Sequence, residues 1–529
     1  MHNNAMTKTI RLALCLLIGG ISATTGVAAQ EAALVTSEPR LDVTHYRVEG
    51  DALLSESELD ALLAPFVGEK RSLSQIEEAA RALENNLHDR GYVFYRVFIP
   101  AQKPVDGVLV LQVIHFNLGK VTVVGNEHFS TANIRRSLPA LQEGAATDMS
   151  DLGRDLTAAN ASPAKQASVT FREGTLAETI DAEVRVKTAE PLNFFAGYTA
   201  NRSLDPLHSD NNLYRLTFGV QHSNLFDLDH VLTMSYTTDP QDLGQLNVYS
   251  FFYQAPIYGT GLNLAGYYTH SDSNTGLVPQ GAGFFNVSGK GDFYGARLTQ
   301  ALPHFGTARQ TVGVSIDERY FENGTTFLGT KIQPNVASRP LSLIYTLNQD
   351  RSWGSYNTRI EYAVNLRGGG SNTPENYTLN GGDYRWDAWR YAADVFLEHQ
   401  GWNFAGRLRG QWSNNKLIPG EQFGLGGAFY VRGFTDREVS GDYGNLLILE
   451  AKAPQILVPQ LRPLIFIDGG ETYSRALHHR ESLLSVGVGL RWSSPQFESS
   501  LDLANVLDPN SLNPQNIRNR LYFALLYRF

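Results

Sequence analysis

The chain has 529 residues with 44 Lys and Arg against 53 Asp and Glu, and its net charge of −9 argues against nucleic acid as a partner. The only cysteine is Cys15, close to the N-terminus in a segment that reads as a signal peptide, so a disulfide scaffold, cysteine catalysis and a cysteine-ligated metal are not expected of the mature chain. With 48 Gly, 24 Tyr and 27 Phe at a slightly hydrophilic mean hydropathy, the composition fits neither a disordered chain nor a bundle of membrane helices, and no run approaches the ~20 apolar residues a membrane helix needs.

Residues 1–29 read as a secretory signal peptide: Lys8 and Arg11 precede an apolar stretch from Leu12 to Ile21, and small residues lead to a cleavage site after Val27-Ala28-Ala29. Cys15 lies inside this segment and follows Leu14, where a lipoprotein site would need a small residue. The mature chain is therefore expected to carry no thiol and no lipid anchor. A short segment, residues 30–40, separates the signal from the first folded module.

Residues 41–189 read as two α+β units of the same order, 41–117 and 118–189. In the first, a strand over Leu41–Val48 precedes a short helix over Glu56–Leu63 and a longer one over Ser74–Arg90. The longer helix has an apolar stripe of Ile76, Ala79, Leu83 and Leu87, a cap at Ser72 or Ser74, and a stop at Gly91. Strands over Tyr92–Ile99 and Val108–Phe116 complete it. The second unit repeats the order with Lys120–Val124, Thr131–Leu138, Met149–Ala159, Gln166–Phe171 and Thr179–Lys187.

Residues 190–529 alternate with the period of strands. Tyr214, Leu216, Phe218 and Val220 oppose Arg215, Thr217, Gly219 and Gln221. Ile360, Tyr362 and Val364 face away from Arg359, Glu361 and Arg367; Phe404, Leu408 and Trp412 oppose Arg407, Arg409 and Gln411; Leu484 to Trp492 oppose Ser485 to Arg491. Strands with one greasy face in lipid must close on themselves, because no backbone group there can be left unpaired. These 340 residues, at about 21 per strand and connection, make a transmembrane antiparallel barrel of about 16 strands. The inward arginines Arg215, Arg359, Arg367, Arg407, Arg409 and Arg491 are candidates for tuning the lumen, with ordinary solvated charges as the alternative.

Counting back from Phe529, the last six strands are 403–413, 444–454, 461–469, 481–493, 496–505 and 519–529. With both barrel termini periplasmic, the Gly-rich connection 414–443 is then the sixth outer loop. It contains Val431-Arg432-Gly433-Phe434, and 36 residues after Arg432 comes Asp468 in Phe466-Ile467-Asp468-Gly469-Gly470. The final strand alternates and ends on Tyr527, Arg528 and Phe529.

These motifs resemble the outer-membrane secretion and assembly superfamily. There, the Val-Arg-Gly-Phe tetrapeptide marks a re-entrant sixth loop, the second motif its partner on the wall, and a terminal Phe the barrel assembly signal. The paired units resemble polypeptide-transport-associated (POTRA) domains. Ile99-Pro100-Ala101-Gln102 with Asp106-Gly107, Asn160, and Ser223-Asn224-Leu225 to Asp229-His230 resemble the two-partner secretion transporters in particular. The resemblance implies that Arg432 folds into the barrel and meets Asp468. It also implies an unfolded secreted client, adhesin-like or haemolysin-like, and insertion by the barrel assembly machinery into the lipid bilayer of a Gram-negative outer membrane. Relatives often carry a plug helix before the first module. Residues 30–40, which include Pro39, are too short for one, so gating is expected to rest on the loop.

A barrel assembly factor is the alternative, although such proteins typically hold three or more modules where this chain has two. A passive porin or receptor would leave the modules unexplained. An enzyme is not expected, since there is no Gly-x-Ser-x-Gly or His-Glu-x-x-His motif; His478-His479 falls in an outer loop, and neither cofactor nor metal is expected.

Overall fold

The computed structural model describes residues 40–51, 53–176, 179–204, 212–244, 246–272, 276–280, 283–287, 289–323, 326–327, 330–331, 333–456, 458–508 and 519–529. The expected signal peptide and the segment following it, up to residue 39, lie outside the described residues.

Two modules precede a closed barrel. The first contains β1 (Arg40–Val43), β2 (His45–Gly50), α1 (Glu56–Leu63), β3 (Gly68–Ser72), α2 (Leu73–Asp89), β4 (Tyr95–Phe98) and β5 (Val108–His115). The second contains β6 (Asn117–Val124), α3 (Thr131–Ser137), α4 (Met149–Ala159), β7 (Lys165–Glu173) and β8 (Thr179–Thr188). Each builds a three-stranded sheet with its last strand in the centre, β2-β5-β4 and β6-β8-β7, the first pairing of each parallel and the second antiparallel. Helix α2 starts at Ser72, whose hydroxyl accepts from the Gln75 N–H while Gln75 accepts from the Ser72 N–H, and it buries Ile76, Ala79, Leu83 and Leu87 against Leu109 and Leu111. Leu152 and Ala159 of α4 pack likewise with Val184 and Val186.

The expected single strand Leu41–Val48 is two strands. Thr44 interrupts it by donating its amide to Gly107 O and its hydroxyl to Asp106 O, so that β1 pairs with β3 and β2 with β5. Strand β3, Gly-Glu-Lys-Arg-Ser, escapes periodicity because it belongs to a two-stranded ribbon with no fully buried residue. The sequence motifs at Gln102 and Asn160 have a common structural job. Gln102 makes reciprocal bonds of 2.7 and 2.8 Å to the backbone of Val110, continuing the ladder beyond β4, and Asn160 does the same to Ala167 at 3.0 and 2.6 Å.

The barrel has 16 antiparallel strands, from Leu192–Ser203 to Asn519–Arg528. Strand 8 is broken between Val336–Ser338 and Pro340–Arg351, where Pro340 has no N–H to donate. Strands 16 and 1 pair from Arg520↔Ser203 to Arg528↔Phe195, and the amide and carbonyl of Phe529 exchange 2.9 Å bonds with Phe194. Tyr527 and Phe529 stack at 5.2 Å, with Tyr527 also stacked on Phe497. Phe218, Phe251, Trp389, Phe404, Ile465 and Val488 lie exposed on the outside, a surface suited to hydrocarbon.

Strand 13 runs over Leu461–Ser474, longer than the expected 461–469, and this places Asp468 midway along the wall rather than near its upper end. The second glycine of the motif serves close approach: a Cβ on Gly470 would lie 2.7 Å from Asn445 O and 2.8 Å from Leu425 of the loop inside. Arg367 lies two residues beyond strand 9 (Gly354–Asn365) and is exposed in an outer connection, so it is not a lumen residue.

The short turn 226–229 between strand 2 (Leu213–Leu225) and strand 3 (His230–Thr238) docks on the second module. Phe226, Asp227 and Asp229 all have positive φ of 56–59°, which costs about 1–3 kcal/mol each for non-glycine residues. The module holds this turn in place. Lys165 donates to Asp229 at 2.6 Å and to Asn133 at 3.1 Å, with Lys165 and Asp229 side chains 0% and 1% exposed. Tyr258 donates to the same carboxylate at 2.5 Å, and Asn133 and Arg136 donate to Asp227 O at 2.9 Å. Burial pushes the Lys165 ammonium below its ordinary pKa against the pull of Asp229. Replacing Lys165 by Met leaves Asp229 as an unpaired buried charge. The expected cost to docking is about 3–5 kcal/mol, seen as faster proteolytic cleavage near residue 190 with an unchanged heat-resistant barrel; equal cleavage rates would refute this role.

Candidate functional site

The connection between strand 11 (Trp402–Trp412) and strand 12 (Tyr443–Lys452) turns back into the barrel. Its neck is closed by Asp442, whose carboxylate accepts 2.7 Å bonds from the amides of Leu417 and Arg475. Below this, Phe423–Leu425 and Val439–Gly441 pair as a short antiparallel hairpin. Gly426, Gly427 and Gly433 take φ of +106°, +100° and +99°, conformations that side chains resist, and they let the chain reverse twice inside a narrow space.

Val431, Phe434, Leu425 and Val439 of the loop pack on Leu446, Ile448, Leu483 and Val506 of the wall, giving the lumen a small apolar core. Arg432 enters beside it. Its Nε and Nη2 donate to the two Asp468 oxygens at 2.7 and 2.8 Å, its backbone N–H to Asp468 at 3.1 Å, and its guanidinium lies 3.4 Å from the centroid of the Phe466 ring. Nη1 reaches Glu450 at 2.8 Å and Asp502 at 3.4 Å. The Arg432 side chain is 4% exposed and that of Asp468 is 0%. A bidentate, stacked guanidinium in such a setting has every favourable contact its planar shape permits. Gly433 donates its amide to Tyr522 Oη at 2.8 Å and Tyr522 returns the bond to Phe434 O at 2.8 Å, so strand 16 grips the residues after the arginine. Gly469 points to the opposite face of the wall, where a Cβ would sit 3.3 Å from Leu484.

Residues 182–492 match the family described as haemolysin secretion/activation protein ShlB/FhaC/HecB, and residues 41–115 match the ShlB-type POTRA domain. The chain belongs to this family. It is a two-partner secretion transporter of the outer membrane, with POTRA domains that are periplasmic in its relatives. It is 23% identical over 477 residues to the outer membrane transporter CdiB of Dickeya dadantii (strain 3937), a match covering 87% of this chain and 82% of that protein. The structure of CdiB from Escherichia coli superposes with a TM-score of 0.75 at 18% identity, covering 94% and 92% of the two chains. CdiB from Acinetobacter baumannii gives 0.69 at 17% identity, covering 94% and 91%. These structural likenesses are of fold.

In this secretion transporter five of the six arginines expected in the lumen lie beside carboxylates. Arg491 is bidentate to Asp502 at 2.6 and 2.9 Å, Arg409 donates through Nη2 to both Asp394 oxygens at 2.7 and 2.9 Å, Arg359 meets Glu361 at 2.6 Å, and Arg407 lies 3.6 Å from Glu450. Arg215 bonds Asp436 of the loop at 3.1 Å. Glu450, Asp502 and Tyr522 are further partners of the loop that no short motif announces. Their signal in the sequence is an ionisable or hydroxyl-bearing residue at an inward position of a barrel strand, which is costly unless it has a partner.

Arg432→Ala leaves Asp468 buried without its cation, a loss of about 3–5 kcal/mol. Arg432→Lys keeps the charge but not the fork, and should recover only part of it. The double change Arg432→Ala with Asp468→Ala should be no worse than either alone when the midpoint of heat-modifiable unfolding is measured. Fully additive losses would show independent roles.

Proposed function

We propose that this transporter recognises an unfolded exoprotein, adhesin-like or haemolysin-like, in the periplasm and secretes it through the barrel, with the Arg432–Asp468 contact acting as the lock that keeps the loop in the lumen. The observation that carries this reading is the loop itself, threaded through the lumen and held by a buried, bidentate ion pair. A transporter for folded solutes needs an open channel. A transporter for an extended chain needs an obstruction that leaves only when the client is present, and a loop held by one multidentate contact meets that need.

The modules supply the recognition surface in this proposal. Each sheet leaves two edges, β2 and β4 in the first, β6 and β7 in the second, and a client strand added to an edge gains main-chain hydrogen bonds whatever its sequence. Docking of the second module on the barrel turns by Lys165 and Asn133 couples that module directly to the barrel. Transfer then gains direction from folding of the client outside the cell, with no nucleotide consumed. Tyr527 and Phe529 serve as the assembly signal read by the barrel assembly machinery during insertion into lipid.

The test is comparative proteomics of culture supernatant and cell surface with and without the gene, restored by wild type or Arg432→Ala. One large secreted protein should disappear and return with wild type only. A broad fall in outer-membrane barrels would overturn the reading in favour of an assembly factor. A chain lacking residues 118–189 but still inserted should fail to export the client; unimpaired export would refute recognition by the second module.

A further inference from the structure

The loop has a second charged attachment that lies eleven residues before Arg432, on a different arc of the wall. Glu421 ends a short turn, Pro419–Glu421, and its side chain is 0% exposed. Both of its oxygens accept from Arg319 Nη1, at 3.2 and 2.9 Å, Arg390 Nη2 donates to Oε2 at 2.7 Å and Ser338 Oγ donates to Oε1 at 2.5 Å. Its carbonyl accepts from Gln411 Nε2 at 3.0 Å. The two arginines are themselves fixed from the wall, Arg319 by Asp317 at 2.9 Å and Arg390 by Glu361 at 3.2 Å. A carboxylate belonging to the loop is thus inserted into a prepared site made by strands 7 to 10.

Arg432, by contrast, is held by Glu450, Asp468 and Asp502 of strands 12, 13 and 15, and Gly433 by strand 16. Asp436 adds a contact to Arg215 on strand 2. The loop is therefore a strap across the lumen with an anionic anchor on one arc and a cationic anchor on another. Eleven residues, fully extended, reach about 36–40 Å. Release of Arg432 alone therefore lets the tip swing but leaves the base of the strap in place.

The geometry points to Glu421 as a second lock of the secretion pore, a positioning residue whose release from Arg319, Arg390 and Ser338 is the separate step that clears the lumen. It rests on the reading of the loop as the obstruction. Opening then has two stages, tip release at Arg432 and base release at Glu421, and neither alone gives the full pore.

Single-channel conductance of the purified full chain in planar bilayers tests this with Glu421→Gln, Arg432→Ala and the double variant, each checked for a folded barrel by heat-modifiable migration. Loss of the negative charge that Arg319, Arg390 and Ser338 bond should raise the frequency of opening by Glu421→Gln at least about tenfold. The double variant should show a larger unitary conductance than either single one. Glu421→Asp, which keeps the charge, should restore behaviour near wild type. Ser338→Ala, which removes one donor and leaves the charge paired, should shift the frequency in the same direction by less, and it carries the test if Glu421→Gln does not fold. Wild-type behaviour of the folded Glu421→Gln or Ser338→Ala channel, with Arg432→Ala still raising the opening frequency, would overturn the second lock and leave the reading of the loop intact. Wild-type behaviour in all of them would refute the obstruction itself, and the second lock with it.

Discussion

A guanidinium inside a barrel has to be neutralised where it lies, and the placement of Arg432 determines much of what surrounds it. Three carboxylates from three strands converge on it, an aromatic ring forms its floor, and Tyr522 holds the two residues that follow. Asp502 and Glu450 also meet Arg491 and Arg407 of the wall, whereas every cationic contact of Asp468 among the described residues comes from the loop. With the loop absent, Asp468 would be a buried anion facing Glu450 and Asp502, so the wall favours the loop as strongly as the loop favours the wall.

The same reasoning explains the glycines and small residues around the site. Gly433 has Val506 at 2.9 Å from where its Cβ would be, and Gly470 has Leu425 at 2.8 Å. Space inside the lumen is limiting, and the apolar core formed by Val431, Phe434 and Leu425 uses it to keep water away from the ion pair. At the other end of the barrel a second buried ion pair, Lys165 with Asp229, joins module to pore.

The barrel, its strand parity and the loop's position were legible in the sequence because period-two alternation persists over strands such as Phe404–Trp412 and Leu484–Trp492, and because lipid forces closure. Helices α1 and α4 match their expected bounds residue for residue, and α2, marked by its cap and apolar stripe, lies within one residue of its own. What stayed hidden involves partners far apart in the chain. Glu421 meets Arg319 across 102 residues, Gly433 meets Tyr522 across 89, and Lys165 meets Asp229 across 64. Local pattern has no access to such pairs. Strand β3 stayed hidden for a different reason, being charged on both faces, and the end of strand 13 was misplaced because Gly469-Gly470 resembles a turn when the loop behind it is not in view.

The pairing of lumen charges also bears on what can slide through. Arg432, Arg491 and Arg407 are matched by Asp468, Glu450 and Asp502, and Arg319, Arg390 and Arg359 by Glu421, Glu361 and Asp317. Despite its many arginines, the inner surface at these clusters has little net field. Acidic and basic stretches of a passing polypeptide would meet similar friction, and small ions of either sign would be poorly distinguished. Departure of the strap takes Arg432 from one cluster and Glu421 from the other, which leaves one arc acidic and the other basic with no change in their summed charge, so acidic and basic stretches of a client would each find one arc of opposite sign.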